Sequence, residues 1–138
     1  KGKLVLMGRS LGSASALELA SSHSEQIDGL IIESGFAFAL PLLQLLGINI
    51  SGMDLKEEDG FDNANKISMF DMPTLIIHAE FDHIIPFSDG QYLFDNAKDS
   101  KKKLLMVPGA NHNDIFARDL ESYIAAIGNL IQRVVVEE

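Results

Sequence analysis

The sequence predicts an α/β fold in which about four parallel strands form a sheet and helices flank it. Three observations carry this. Four short apolar runs recur along the chain, at residues 4–7, 29–32, 74–79 and 104–107. Each is apolar throughout rather than alternating, the pattern of a strand buried on both faces. The stretches between them carry helix-forming residues, and strands alternating with helices build a parallel sheet.

The elements follow in order. Residues 4–7 are the first strand. Gly8-Arg9-Ser10-Leu11-Gly12 comes next and leads into a helix at 11–22, rich in alanine, serine and leucine. The second strand, 29–32, is entered from Gln26-Ile27-Asp28. Residues 34–72 are less regular. Within them, 36–48 is apolar and reads as a helix packed on the core, with a lid or an acyl-contacting wall as the alternative. Residues 54–62 are acidic, and a further short helix is expected near 63–70. Pro73 launches the third strand, and Pro86 suits the first turn of a helix running to about Ala97. Pro108-Gly109 ends the fourth strand. Leu120, Ile124, Ile127 and Ile131 recur at helical spacing and mark the last helix.

The chain has 138 residues, enough for one domain spanning 1–138, and 46% of them are hydrophobic, enough for a core. The net charge of −9 argues against nucleic acid or an anionic membrane surface as a partner. Lys101-Lys102-Lys103 is the one basic cluster and reads as a solvated strand entry. There is no cysteine, hence no disulfide framework or thiol chemistry. No apolar run approaches the roughly 20 residues of a membrane span. The chain enters its first strand directly from Lys-Gly-Lys, and the expectation is an excerpt of a longer polypeptide. Localisation is then poorly constrained, with the cytoplasm favoured.

Gly8-Arg9-Ser10-Leu11-Gly12 places a serine at the apex of a strand-to-helix turn. An alcohol is a poor nucleophile unless it is held exposed beside a base. The tight turn gives exposure, the glycines leave room where backbones crowd, and the helix N-terminus favours developing negative charge. The pattern alone has little specificity: at about 7% glycine and serine usage, one turns up by chance in roughly one chain in twenty of this length. The other strand ends make it informative. Glu80-Phe81-Asp82 follows the third strand and Gly109-Ala110-Asn111-His112 the fourth. In a parallel sheet these project from one edge, so serine, aspartate and histidine meet there in the roles of nucleophile, orienting acid and base.

Each residue also has a plain structural reading. Asp82 can cap the helix near Pro86, and His112 can cap the last helix. His78 and His83 read as structural or site-lining rather than as zinc ligands, since no cysteine pair or HExxH pattern accompanies them. His23 reads as solvent-facing near a helix end. No Gly-Lys-Ser/Thr follows Gly8, so the turn is not a phosphate loop.

With these segments in view, the chain resembles the α/β-hydrolase superfamily, in the flavour of bacterial esterases and serine-aminopeptidase-like hydrolases. Gly8-Arg9-Ser10-Leu11-Gly12-Ser13 is similar to its nucleophile elbow. Residues 77–86 resemble the segment His-Gly-x-x-Asp followed by Val- or Ile-Pro, with Ala79 in place of the glycine. Gly109-Ala110-Asn111-His112-Asn113-Asp114 resembles its histidine loop. The resemblance covers the C-terminal half of the family fold. It implies an acyl-transfer hydrolase of an ester, thioester or amide, with Ser10, Asp82 and His112 as catalytic residues. It implies the Leu11 N–H as one oxyanion donor, with the second from a loop after the family's third strand. It implies no metal or organic cofactor. Glu33, at the end of the second strand, is the rival acid, because some lipases of this fold place it there. Serine at the elbow argues against the dehalogenase and epoxide-hydrolase branches. The competing reading is a non-catalytic binding or assembly module with this fold, and a weaker one an unrelated doubly wound binding domain. Residues 3–7 would be an exposed edge, through which the chain is expected to self-associate, as a homodimer or by aggregation; the alternative is that the rest of a longer polypeptide covers this edge.

Overall fold

A computed structural model describes residues 2–136. Its four strands, β1 (Val5–Arg9), β2 (Gly29–Glu33), β3 (Thr74–Ala79) and β4 (Lys103–Val107), lie side by side in that order, every pair parallel. The helices are α1 (Gly12–Ser22), α2 (Ala39–Leu45), α3 (Asn63–Lys66), α4 (Phe87–Asn96), α5 (Ile115–Arg118) and α6 (Leu120–Val136). The α/β class with four parallel strands is therefore the observed one.

Side chains alternate across each strand, so the apolar runs feed two cores. Leu30, Ile32 and Ile76 face one way and pack with Leu17 and Ala20 of α1 and Leu93 of α4. Ile31, Leu75 and Ile77 face the other way and pack with Tyr123, Leu130 and Val134 of α6. Every residue of β2 and β3 is buried. β1 and β4 are the two edges among the described residues, and Met7 and Met106 are exposed. An edge is expected at residues 3–7, whereas the expected burial of β4 on both faces does not hold. Leu4, just before β1, is exposed as well.

The last helix corrects its expected face. Leu120, Ile124 and Ile131 are exposed, while Tyr123, Leu130 and Val134 are buried and Ile127 packs at the margin of the core. Two apolar stripes run along α6, about 80° apart on the helix surface, and only one meets the sheet. In the irregular region, α2 is short. Its Ala39 and Leu42 join Ala14, Phe36 and Ile85 in a third small core, but Leu45 and Leu46 at its end are exposed. Lys101 and Lys103 are exposed, and the Lys102 ammonium lies 4.8 Å from the Phe94 ring centroid. Among the described residues, no helix is long and apolar enough to cross a membrane.

Candidate functional site

The turn after β1 is tight because three hydrogen bonds close it, two between main chains and one from a side chain. Ser10 N–H donates to the Glu33 carbonyl at 2.9 Å, and the Ser10 carbonyl accepts from the N–H and the hydroxyl of Ser13, at 3.0 and 2.7 Å. Ser10 is held at φ 54°, in the left-handed region that costs a non-glycine residue of order 1 kcal/mol or more. Such strain persists where the surroundings over-determine it. Here the strand, the β2 end and the first turn of α1 do so.

The loops after β3 and β4 are laced together. Glu80 N–H donates to the Val107 carbonyl, Phe81 N–H to the Ala110 carbonyl, and Gly109 N–H to the Glu80 carboxylate, all between 2.9 and 3.1 Å. This lacing brings Asp82 to His112. The Asp82 carboxylate is fully buried. Its Oδ1 accepts from the N–H groups of Ile84 and Ile85, at 2.9 and 2.8 Å, and its Oδ2 lies 2.7 Å from His112 Nδ1. Asp82 does not cap the following helix, whose N-cap is Pro86 with no side-chain bond; one of its oxygens closes the loop at Ile84 and Ile85 and the other meets the histidine. His112, itself buried, places Nε2 at 2.9 Å from Ser10 Oγ.

A carboxylate only accepts, so the proton sits on Nδ1, and Nε2 is left to accept from the serine hydroxyl. The chain Ser10–His112–Asp82 can thus take a proton from an alcohol. Leu11 N–H, next to Ser10 at the start of α1, donates to no acceptor among the described residues.

Glu33 is not presented to the His112 ring. Its side chain is buried, with Oε2 2.6 Å from Arg9 Nε and Oε1 accepting the Tyr123 hydroxyl at 2.5 Å. Burial and the adjacent Glu33 carboxylate push the Tyr123 hydroxyl well above its usual range, so it remains a donor. Arg9 also donates to the main-chain carbonyl of His112 at 2.6 Å. The sequence singled out neither Arg9, seen only as part of the turn motif, nor Tyr123.

His78 is fully buried. Its ring donates from Nε2 to the Ile85 carbonyl at 2.8 Å, which anchors the loop that holds Asp82, and burial depresses its basicity. Its other nitrogen has no partner. His83 is exposed and lines a cleft of about 280 Å³ beside Asp82, whose walls include Phe36, Phe38, Leu42, Leu45 and Pro86. His23 is exposed at the C-terminal end of α1. A larger hollow of about 560 Å³ lies at the opposite edge of the sheet, against Thr74, Lys103 and Arg133. No group of three histidine, cysteine or acidic side chains among the described residues is arranged to hold a metal ion.

No family model matches the chain. The uncharacterised protein YfhR of Escherichia coli K12 is 31% identical over 117 residues, which are 83% of this chain and 40% of that protein. The α/β-hydrolase domain-containing protein aho-3 of Caenorhabditis elegans is 32% identical over 116 residues, 83% of this chain and 32% of that protein. The chain thus spans less than half the length of either relative. Among solved structures, the monoacylglycerol lipase of Paleococcus ferrophilus superposes with a TM-score of 0.69 at 17% identity, over 96% of this chain and 68% of that one. At that identity the likeness is one of fold.

Proposed function

We propose that this chain, which belongs to the α/β-hydrolase superfamily, supplies the nucleophile, base and acid of a serine hydrolase acting on an ester, thioester or amide. The observation that carries the reading is the continuous hydrogen-bonded chain from Ser10 Oγ through His112 to Asp82, at 2.9 and 2.7 Å, on a strained strand-to-helix turn. The name of the lipase with the similar fold agrees with an ester substrate.

In this mechanism Ser10 Oγ attacks the substrate's carbonyl carbon while its proton passes to His112 Nε2. The carbonyl oxygen becomes an oxyanion and takes the Leu11 N–H, near the positive end of α1. As the tetrahedral intermediate collapses, His112 gives the proton to the leaving alcohol, thiol or amine, and the acyl group stays on Ser10. Water then repeats the sequence: His112 takes its proton, the hydroxyl oxygen bonds to the acyl carbon, and the proton returns to Ser10 as the acid leaves. Asp82 keeps Nδ1 protonated and offsets the charge of the imidazolium.

The test is covalent labelling of the full-length protein with a fluorophosphonate, followed by peptide mapping. The phosphonyl group is expected on Ser10, with Ser10→Ala losing both the label and turnover of a p-nitrophenyl ester. Normal turnover by a folded Ser10→Ala protein would refute the assignment.

A further inference from the structure

We propose that Arg9 is a positioning residue for the base: clamped by Glu33, which Tyr123 braces in turn, it holds the His112 backbone in register with Ser10, independently of Asp82. The proposal rests on the serine-hydrolase reading above and deepens it.

The geometry forms a closed circuit. Arg9 is the residue directly before Ser10 and the last of β1. Its guanidinium donates to the carbonyl of His112 at 2.6 Å, and the His112 ring returns to Ser10 Oγ at 2.9 Å. The nucleophile and the base are therefore tied twice, once through the reacting atoms and once from the Arg9 side chain, next to Ser10, to the His112 main chain. Asp82 acts on the far nitrogen of the ring and fixes its tautomer and tilt. It does not fix where the histidine backbone stands.

A guanidinium can hold a carbonyl in place only if it is itself held. About half of the Arg9 side chain is exposed, so an unanchored arginine here would sample several rotamers. Glu33 supplies the anchor. Its side chain is only 6% exposed and takes Arg9 Nε on one oxygen and the Tyr123 hydroxyl on the other. Tyr123 is fixed in turn by α6 and by an edge-to-face contact with Phe116, ring centroids 5.3 Å apart. The Glu33 main chain completes the arrangement by accepting the Ser10 N–H. One residue thus grips the elbow by its backbone and the histidine loop, through Arg9, by its side chain. A carboxylate so buried needs such partners, since burying one unpaired is strongly unfavourable.

The circuit fixes a distance, so its loss should appear in the chemical step. A displacement on the order of 1 Å at a reacting group costs about a hundredfold. In the full-length protein, Arg9→Gln is expected to lower kcat by about 10- to 100-fold with KM nearly unchanged, and to slow fluorophosphonate labelling of Ser10 in parallel. The downfield proton resonance of His112 Nδ1–H should broaden in the free enzyme. Tyr123→Phe keeps the Arg9–Glu33 pair and should lose less.

A stranded Glu33 carboxylate could by itself disturb the Arg9→Gln protein. The double variant Arg9→Gln, Glu33→Gln removes that charge and still leaves the His112 carbonyl ungripped, so it should keep the kcat loss and the broadened resonance. Recovery of wild-type kcat in the double variant would overturn the proposal and assign the single-variant loss to the stranded charge. Wild-type kcat and a sharp resonance in a folded Arg9→Gln protein would also overturn it. Full turnover by Ser10→Ala would overturn the hydrolase reading instead, so the two failures are distinguishable.

Discussion

The carbonyl oxygen of Gly12 stands 2.6 Å from where a Cβ on Gly8 would lie, and the Ala16 Cβ stands 2.7 Å from the same point. A Cβ on Gly12 would meet nothing within 4 Å. The two glycines that flank Ser10 therefore do different work. Gly8 lets β1 and α1 approach closely, whereas Gly12 is dispensable on steric grounds. Gly8→Ala is expected to destabilise the fold by about 1–3 kcal/mol or more, because backbone has to move. Gly12→Ala, at an exposed first turn without positive φ, is expected to be neutral or to stabilise by up to about 1 kcal/mol. Urea unfolding midpoints of the two variants check the contrast, and equal destabilisation would count against it.

Much of this was legible before the structure. β3 was readable to its ends, since Pro73 before it and Glu80 after it bound a run that is apolar but for Thr74 and His78. That Ser10, Asp82 and His112 meet was readable because each follows a strand, and parallel strands put their following loops on one edge. The face of α6 was not. Its period is plain, but with apolar residues on two stripes the period does not set the phase, and packing against Leu75 and Ile77 selected Tyr123, Leu130 and Val134. The Arg9–Glu33–Tyr123 clamp was illegible for another reason. Its partners lie 24, 90 and 103 residues apart, and each has an unremarkable local reading. Glu33, weighed as a rival acid, turns out to have both carboxylate oxygens engaged away from the His112 ring.

That engagement separates the two acids experimentally. Replacing the orienting acid by its amide in a serine triad costs about four powers of ten in kcat. Asp82→Asn is expected to show a loss of that order. Glu33→Gln keeps an oxygen for either Arg9 or Tyr123 but not both acceptor sites, and is expected to lose about tenfold or less in kcat. Steady-state kinetics on folded variants decides the ranking, and a larger loss for Glu33→Gln would transfer the orienting role.

Burial of His78 ties stability to pH. Its folded-state pKa lies below the ordinary 6.5, because desolvation disfavours the charged ring. Between that lowered value and 6.5 the unfolded chain binds more protons, so stability rises with pH across this window and falls as pH drops below 6.5. Asp89, which accepts the Ala37 N–H at 2.9 Å, works in the opposite sense: burial raises its pKa above 3.8, and stability is gained as pH falls toward 3.8. His78→Gln is expected to flatten the loss just below pH 6.5 while lowering stability at pH 8. Urea midpoints at these pH values test it, and an unchanged slope in the variant would show that another group titrates there.

Asp99 holds the edge of the sheet opposite the candidate site. Its carboxylate accepts the Thr74 N–H and the Lys101 N–H, each at 3.0 Å, and forms a bidentate pair with Arg133 of α6. One side chain thereby joins the start of β3, the turn before β4 and the last helix. Burial alone would raise its pKa, but Arg133 and the two N–H groups outweigh it and hold the group below 3.8. A carboxyl lowered on folding contributes stability that is complete above the unfolded value and is lost as pH falls from 3.8 through the folded value. Asp99→Asn keeps the shape but gives up the charge and half of the acceptor capacity. It is expected to cost about 1–3 kcal/mol at neutral pH, for hydrogen bonds to a charged group, and to remove part of the acid limb below pH 4. Wild-type stability at pH 7 in the variant would mean that the three elements are held by their apolar contacts alone.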